Sequence, residues 1–145
     1  MFKHILVPVD GSDASLLAVA KAAGLAKAFG SAVTALYVLD PYPFTGVGAE
    51  FAYGQAQYLN AAKAEASAAL DAARKTMADA GVAVTTVVGE NQAVYEGIVQ
   101  ALGDSDIDLI VMGSHGRRGL EKLMLGSVTQ KVLSMVHVPV MVVRN

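Results

Sequence analysis

"DLIVMGSHGRRGLEKLMLGSVTQKVL", residues 108–133, decides how the rest of the chain is read. An apolar, strand-length run ends at Met112 and Gly113. A loop follows with glycines at Gly116, Gly119 and Gly126 and basic residues between them. Ser127 then opens a segment that reads as a helix over 127–136. Strand, glycine-rich loop and helix in that order form the repeating step of a parallel α/β sheet.

The same step recurs along the chain. "KHILVPVD" (3–10) is a short β-branched run bounded by Gly11 and reads as a buried strand. Ser12 suits a helix N-cap, Asp13 suits the first turn, and Gly30 suits the end of the helix through "ASLLAVAKAAGLAKAF". "SAVTALYVLD" (31–40) is a second strand. Two prolines and three glycines make 41–54 a long loop. Strong helix formers fill 55–80, and Gly81 ends that helix. "VAVTTVVG" (82–89) is a third strand, 91–104 a shorter helix, 107–113 the fourth strand and 138–144 the last. Five strands alternating with four helices predict a single-domain, doubly wound α/β fold over residues 1–145, with helices on both faces of one parallel sheet.

That topology places ligands beyond the carboxyl ends of the strands, where strand order reverses. The ends concerned are Pro8-Val9-Asp10, Val38-Leu39-Asp40 and Met112-Gly113. Glycine lets backbone N–H groups approach an anion, and a helix N-terminus favours negative charge. Gly126-Ser127 supplies such a terminus with a hydroxyl, while Arg117, Arg118 and Lys122 carry positive charge. The loop therefore suits a polyphosphate held between its glycine ends. A ligand-free reading stands beside it. Ser127-Val128-Thr129-Gln130 matches the S-x-x-Q capping box, and Gly113 would merely permit a tight turn. Neither the P-loop order nor a G-x-G-x-x-G after the first strand is present.

Composition narrows the function classes. Net charge is −2, so no basic footprint for nucleic acid is expected. No apolar run reaches the ~20 residues of a membrane helix, and the N-terminal apolar stretch is too short for a secretory signal. Cysteine is absent, which removes disulfides and thiolate metal sites and agrees with a cytoplasmic location. His4, His115 and His137 lack zinc-ligand spacing, and no protein metal site is expected.

The glycine spacing carries a specific likeness. Gly113-x2-Gly116-x9-Gly126-Ser127 resembles the G-2x-G-9x-G-(S/T) signature of the ATP-binding branch of the universal stress protein family. "HILVPVDGSDAS", "ALYVLD" and "HVPVMVVR" resemble its opening strand and helix, second strand and closing strand, so the likeness spans nearly the whole chain. It implies a Rossmann-like sheet of the adenine nucleotide alpha hydrolase-like kind, with strand order 3-2-1-4-5 and an adenine nucleotide at its carboxyl edge. Carried over by position, it implies Asp10 near the ribose, with Pro8 and Val9 as its strand-end neighbours. Val38 would meet the adenine through its backbone. Met112 and Gly113 would form the fourth strand end, and Gly116, Gly126, Ser127 and Val128 the phosphate loop and helix start. His115, Arg117 and Thr129 are further candidates for contact. The implied ligand is ATP, ADP or AMP, with Mg²⁺ held mainly by phosphates and water.

Two departures stand out. No proline follows Gly89, and Tyr42, Phe44, Phe51, Tyr53 and Tyr58 concentrate aromatics beside the 41–54 loop. These aromatics read as a loop folded onto the neighbouring helix, or alternatively as a lid or partner surface. The closing strand, Val138 to Val143, presents apolar residues on both faces at a sheet edge and tolerates Pro139 there. Pairing with its own copy would build a two-fold homodimer, in line with the family resemblance. No base–nucleophile pair stands out, so no catalytic residue is assigned and ATP hydrolysis is expected to be slow at most. The expected role is a dimeric stress-response module acting on an unknown client protein. Two alternatives remain: a nucleotide-independent interaction module, and an ATP pyrophosphatase-like enzyme faintly suggested by "DGSDAS" (10–15).

Overall fold

Strand β1 (His4–Pro8) carries Ile5, Leu6 and Val7 fully buried in succession, as a central strand covered on both faces must. It pairs in parallel with β2 (Ala32–Leu39) on one side and β4 (Leu109–Gly113) on the other. Strand β3 (Thr85–Glu90) extends the sheet beyond β2, and β5 (Val140–Val143) beyond β4. The order is β3-β2-β1-β4-β5, all parallel, as the resemblance implies. The chain is described by a computed structural model over residues 1–41, 48–103, 105–116 and 125–144.

Side chains alternate across the sheet. Ile5, Val7, Val33 and Ala35 face α1 (Asp13–Phe29) and α2 (Ala49–Asp79), packing on Ala18, Ala22, Ala69 and Ala73. Leu6, Leu36 and Ile110 face α3 (Val94–Leu102) and α4 (Ser127–Met135), packing on Ile98 and Val132. The alanines that raise the apolar content are thus the contact surface of the first helical layer, where a small side chain lets helix and sheet approach closely.

The first helix ends as read. Ser12 is its N-cap, accepting from the Ser15 N–H at 3.2 Å, and Gly30 closes it in the left-handed region at φ 67°. Several boundaries differ; β4 begins at Leu109 and not at 107, and β5 at Val140, after Pro139, and not at Val138. Helix α2 begins at Ala49, inside the segment expected as loop, and continues through Gly54. Its 31 residues span about 46 Å, so strong helix formers outweigh one interior glycine. Phe51, Tyr53 and Tyr58 consequently lie on the helix, with Tyr58 donating to the Asp40 carbonyl at 2.8 Å, while Tyr42 and Phe44 fall outside the described residues. Strand β3 starts at Thr85 and not Val82, because Val82 and Val84 pack on the core before the ladder begins. Helix α3 starts at Val94, after Asn91 accepts the Ala93 N–H at 2.9 Å in a side-chain turn.

Candidate functional site

The β1–α1 and β4–α4 connections leave neighbouring central strands at the same edge of the sheet. At the first exit Pro8 pairs with Leu36, and the Val9 N–H donates to the Leu36 carbonyl at 2.8 Å. Asp10 then leaves the sheet, half-buried. One carboxylate oxygen accepts the Ser12 N–H at 2.9 Å, and Gly11 turns the chain at φ 84°.

The second exit meets the first. A Cβ placed on Gly116 would lie 2.6 Å from the other Asp10 carboxylate oxygen, so bare backbone sits directly against that carboxylate. At Gly113 a Cβ would lie 3.0 Å from the backbone of Ala14, so this glycine serves the close approach of α1 to β4. Buried Ser114 fastens the loop. Its N–H donates to the Val143 carbonyl at 2.9 Å, and its carbonyl accepts from the Gly126 N–H at 2.7 Å. The hydroxyl of Thr129 donates to the carbonyls of Gly113 and Ser114, at 3.0 and 3.3 Å. Gly126 in turn packs on His115, with 3.0 Å from its built Cβ to the His115 Cα. The glycine ends of the loop are therefore brought together at the mouth of the crevice, beside Asp10.

Helix α4 opens toward this mouth. Gly126, and not Ser127, is its N-cap, and its carbonyl accepts the Gln130 N–H at 3.0 Å. The capping box does not form: the Gln130 side chain donates to the Leu125 carbonyl at 2.7 Å instead. Ser127 is thereby left exposed in the first turn, where backbone N–H groups have no partner within the helix. Anion binding at such a terminus needs no rearrangement of the helix.

The other sequence-derived positions are distributed unevenly. Met112 is buried in the second core, and Val128 is partly buried against it. Thr129 is only 2% exposed and its hydroxyl faces inward, so it is a structural tie between α4 and the β4 end, with its proton held by protein carbonyls. His115 is half-buried with its Nδ1 3.1 Å from the Ser114 hydroxyl. Val38 is half-buried and presses on Gly97 of α3, leaving its backbone as the group available to a ligand. Arg117, together with Arg118, Gly119, Glu121 and Lys122, lies outside the described residues. Sequence reasoning missed Ser114 and Gly97. Nothing in a lone serine between two glycines marks it as the clamp, and Gly97 has meaning only once Val38 faces it.

The crevice thus offers backbone N–H donors at a helix start, two glycine positions where a side chain would collide, and a carboxylate across from them. That donor set fits an anionic chain joined to a hydroxyl-bearing group. Electrostatic adjustment is clearest at the opposite sheet edge. There the N–H groups of Lys3 and His4 hold the Asp108 carboxyl below the usual carboxylate range, and the hydrogen bond from His4 does the same for Asp106.

Strand order and helix placement define an open, doubly wound α/β protein whose topological switch lies between β1 and β4, the position at which such sheets bind ligands. The Universal stress protein family model matches residues 1–144, and the chain belongs to that family. It is 40% identical over 145 residues to Universal stress protein MJ0531 of Methanocaldococcus jannaschii, covering 100% of this chain and 84% of that protein. The solved structure of the universal stress protein UspA from Lactobacillus plantarum superposes with a TM-score of 0.85 at 28% identity, covering 99% of this chain and 98% of that one. A universal stress protein solved in complex with cAMP superposes at 0.74 with 25% identity, covering 99% and 97%. Among the described residues no helix is long and apolar enough to cross a membrane.

Proposed function

We propose that this chain binds an adenine nucleotide, ATP foremost, in the crevice between the β1 and β4 exits, and acts as a dimeric regulatory module in a cytoplasmic stress response. The observation that carries this reading is the juxtaposition of Gly116 and Gly126 with Asp10 at the open start of α4. Phosphates would lie at the N–H groups of Ser127 and Val128, with the Ser127 hydroxyl as a further donor, while Gly126, its own N–H held by the Ser114 carbonyl, would leave room for their approach. Asp10 would accept from ribose hydroxyls, and the Val38 backbone would meet the base. Pro8, Val9, Met112 and Gly113 form the walls that hold these groups in place. Mg²⁺, if bound, would be carried by the phosphates. A related structure holding cAMP supports an adenine nucleotide as the ligand class. Hydrolysis is assigned no base or nucleophile, and turnover would be slow.

Dimerisation is proposed through β5, whose outer edge is unpaired among the described residues and whose Met141 is 38% exposed.

Nucleotide binding by variants tests the assignment. Gly126→Val places a side chain on the His115 backbone at the loop mouth and should reduce ATP affinity more than a hundredfold. Ser127→Ala removes one hydroxyl donor and should cost about tenfold, the worth of one hydrogen bond to a charged group. Dimerisation should persist in both. Unchanged ATP affinity in Gly126→Val, measured on folded protein, would remove the phosphate loop from the reading. Retained dimerisation without affinity for any adenine nucleotide in the wild type would favour an interaction module instead.

A further inference from the structure

Among the described residues the sheet has a second free edge, at β3, on the side opposite β5. Strand β3 pairs with β2 alone among the described residues, and its outward backbone groups form an open template. Its two central valines are unusually bare for a strand: Val87 is 41% exposed and Val88 48%. Thr86, Val88 and Glu90 share the face toward α2, as the register with Ala35, Tyr37 and Leu39 requires, while Val87 and Gly89 share the other. On the α2 side a groove runs between the strand and the helix, floored by Ala66, Leu70 and Val88. Arg74 closes one end of it, donating to the Thr86 hydroxyl and to Asp71, both at 2.5 Å. Lys63 and Ser67 line the groove as well, and exposed Glu90 ends the strand, where among the described residues no cation pairs with it.

We propose that a second copy of this chain docks on β3, antiparallel and centred on Val88. The edge is self-complementary in this register. Val88 faces its own copy and covers the apolar floor of both grooves. Val87 lies opposite the partner's Gly89, which has no side chain to oppose it. Glu90 lies opposite the partner's Thr86, beside the Arg74 guanidinium bonded to that threonine. A one-residue slip would put Val88 opposite a residue of the other face and separate the acid from the arginine. The arrangement is two-fold and closed, so each contact is made twice. Because β3 and β5 are opposite edges, this association adds to one through β5 and would carry dimers to tetramers or longer arrays.

The natural lack of cysteine gives a direct test. Directly opposed residues in an antiparallel pair lie about 4.5–5.5 Å apart at Cα, within disulfide range. Val88→Cys should therefore form a covalent dimer under mild oxidation in most of the protein. Thr85→Cys should not, because its copy would be roughly 20 Å away along the paired strands. Sedimentation velocity supplies a second reading without a new cysteine. Glu90→Lys should weaken the β3-edge association at least tenfold, and adding Arg74→Glu should restore it. Val88→Cys crosslinking no better than Thr85→Cys, or association indifferent to Glu90→Lys, would overturn the proposal.

Discussion

Gly116→Ala tests the site most sharply, because one methyl group should separate binding from folding. The new Cβ would sit 2.6 Å from an Asp10 carboxylate oxygen. Ordinary contact requires the carboxylate to retreat by something on the order of half an ångström or more. Gly116 is absent from the positive-φ glycines, so alanine meets no backbone strain there. Alanine also restricts the unfolded chain, a gain of about 0.4–1 kcal/mol. Weakening without breaking the 2.9 Å bond from the Ser12 N–H to the Asp10 carboxylate offsets this by about 1.5 kcal/mol, half the upper worth of such a charged bond. The net change in stability is within about 1 kcal/mol, a shift in Tm of roughly 4 °C or less. Binding should respond far more. A displaced Asp10 forfeits a charged hydrogen bond worth about 1.5–3 kcal/mol, or a loss of roughly 10- to 150-fold in ATP affinity. Calorimetric titration beside thermal melting reads both. In an Asp10→Ala background the same glycine change should cost little further affinity, because the colliding oxygen is gone. Wild-type affinity in Gly116→Ala, or an undiminished penalty without Asp10, would refute the placement of this carboxylate at the ligand.

Other perturbations probe the frame around the site. Gly97→Ala drives a Cβ to 2.6 Å from a Val38 methyl, so in urea unfolding its combination with Val38→Ala should be less destabilising than the sum of the single changes by about 1–3 kcal/mol. Additivity within about 0.5 kcal/mol would mean that α3 yields freely at β2. Thr129→Val removes the hydroxyl that donates to the Gly113 and Ser114 carbonyls, of which Ser114 keeps the Gly126 N–H, and should lower stability by about 1–3 kcal/mol in the same assay, with no recovery on adding ATP beyond that seen for wild type. Asp108 has a carboxyl pKa depressed in the folded state by the Lys3 and His4 N–H groups. Its stabilisation is present above the ordinary carboxylate pKa of about 4 and is lost as pH falls below it. Asp108→Asn should therefore flatten the acid limb of a Tm-against-pH curve below about pH 4, and an unaltered limb would place that dependence elsewhere.

Much of the fold was legible because its signals are local and repeated. Buried strands such as Ile5-Leu6-Val7 are continuous apolar runs, and Ser12 and Gly30 mark helix ends by backbone chemistry alone. The start of α2 was not legible, since prolines and glycines over 41–54 speak for a loop while the helix draws on side chains from Ala49 onward. The site was legible as a set of positions and illegible as roles. Gly113, Gly116 and Gly126 look alike in sequence, yet one admits a helix, one admits a carboxylate and one packs on a histidine. Ser127 and Gln130 satisfy the capping pattern, but the Gln130 side chain finds the Leu125 carbonyl and leaves the serine exposed. Such differences depend on what tertiary packing brings opposite each residue, which spacing along the chain does not encode.

Titration of nucleotide-free wild-type protein with ATP and Mg²⁺ by isothermal calorimetry tests the central claim most directly. Saturable binding of one nucleotide per chain, competed by ADP or AMP, is the expected result. An absence of saturable heat for ATP, ADP, AMP and cAMP alike, on protein whose melting confirms the fold, would contradict it.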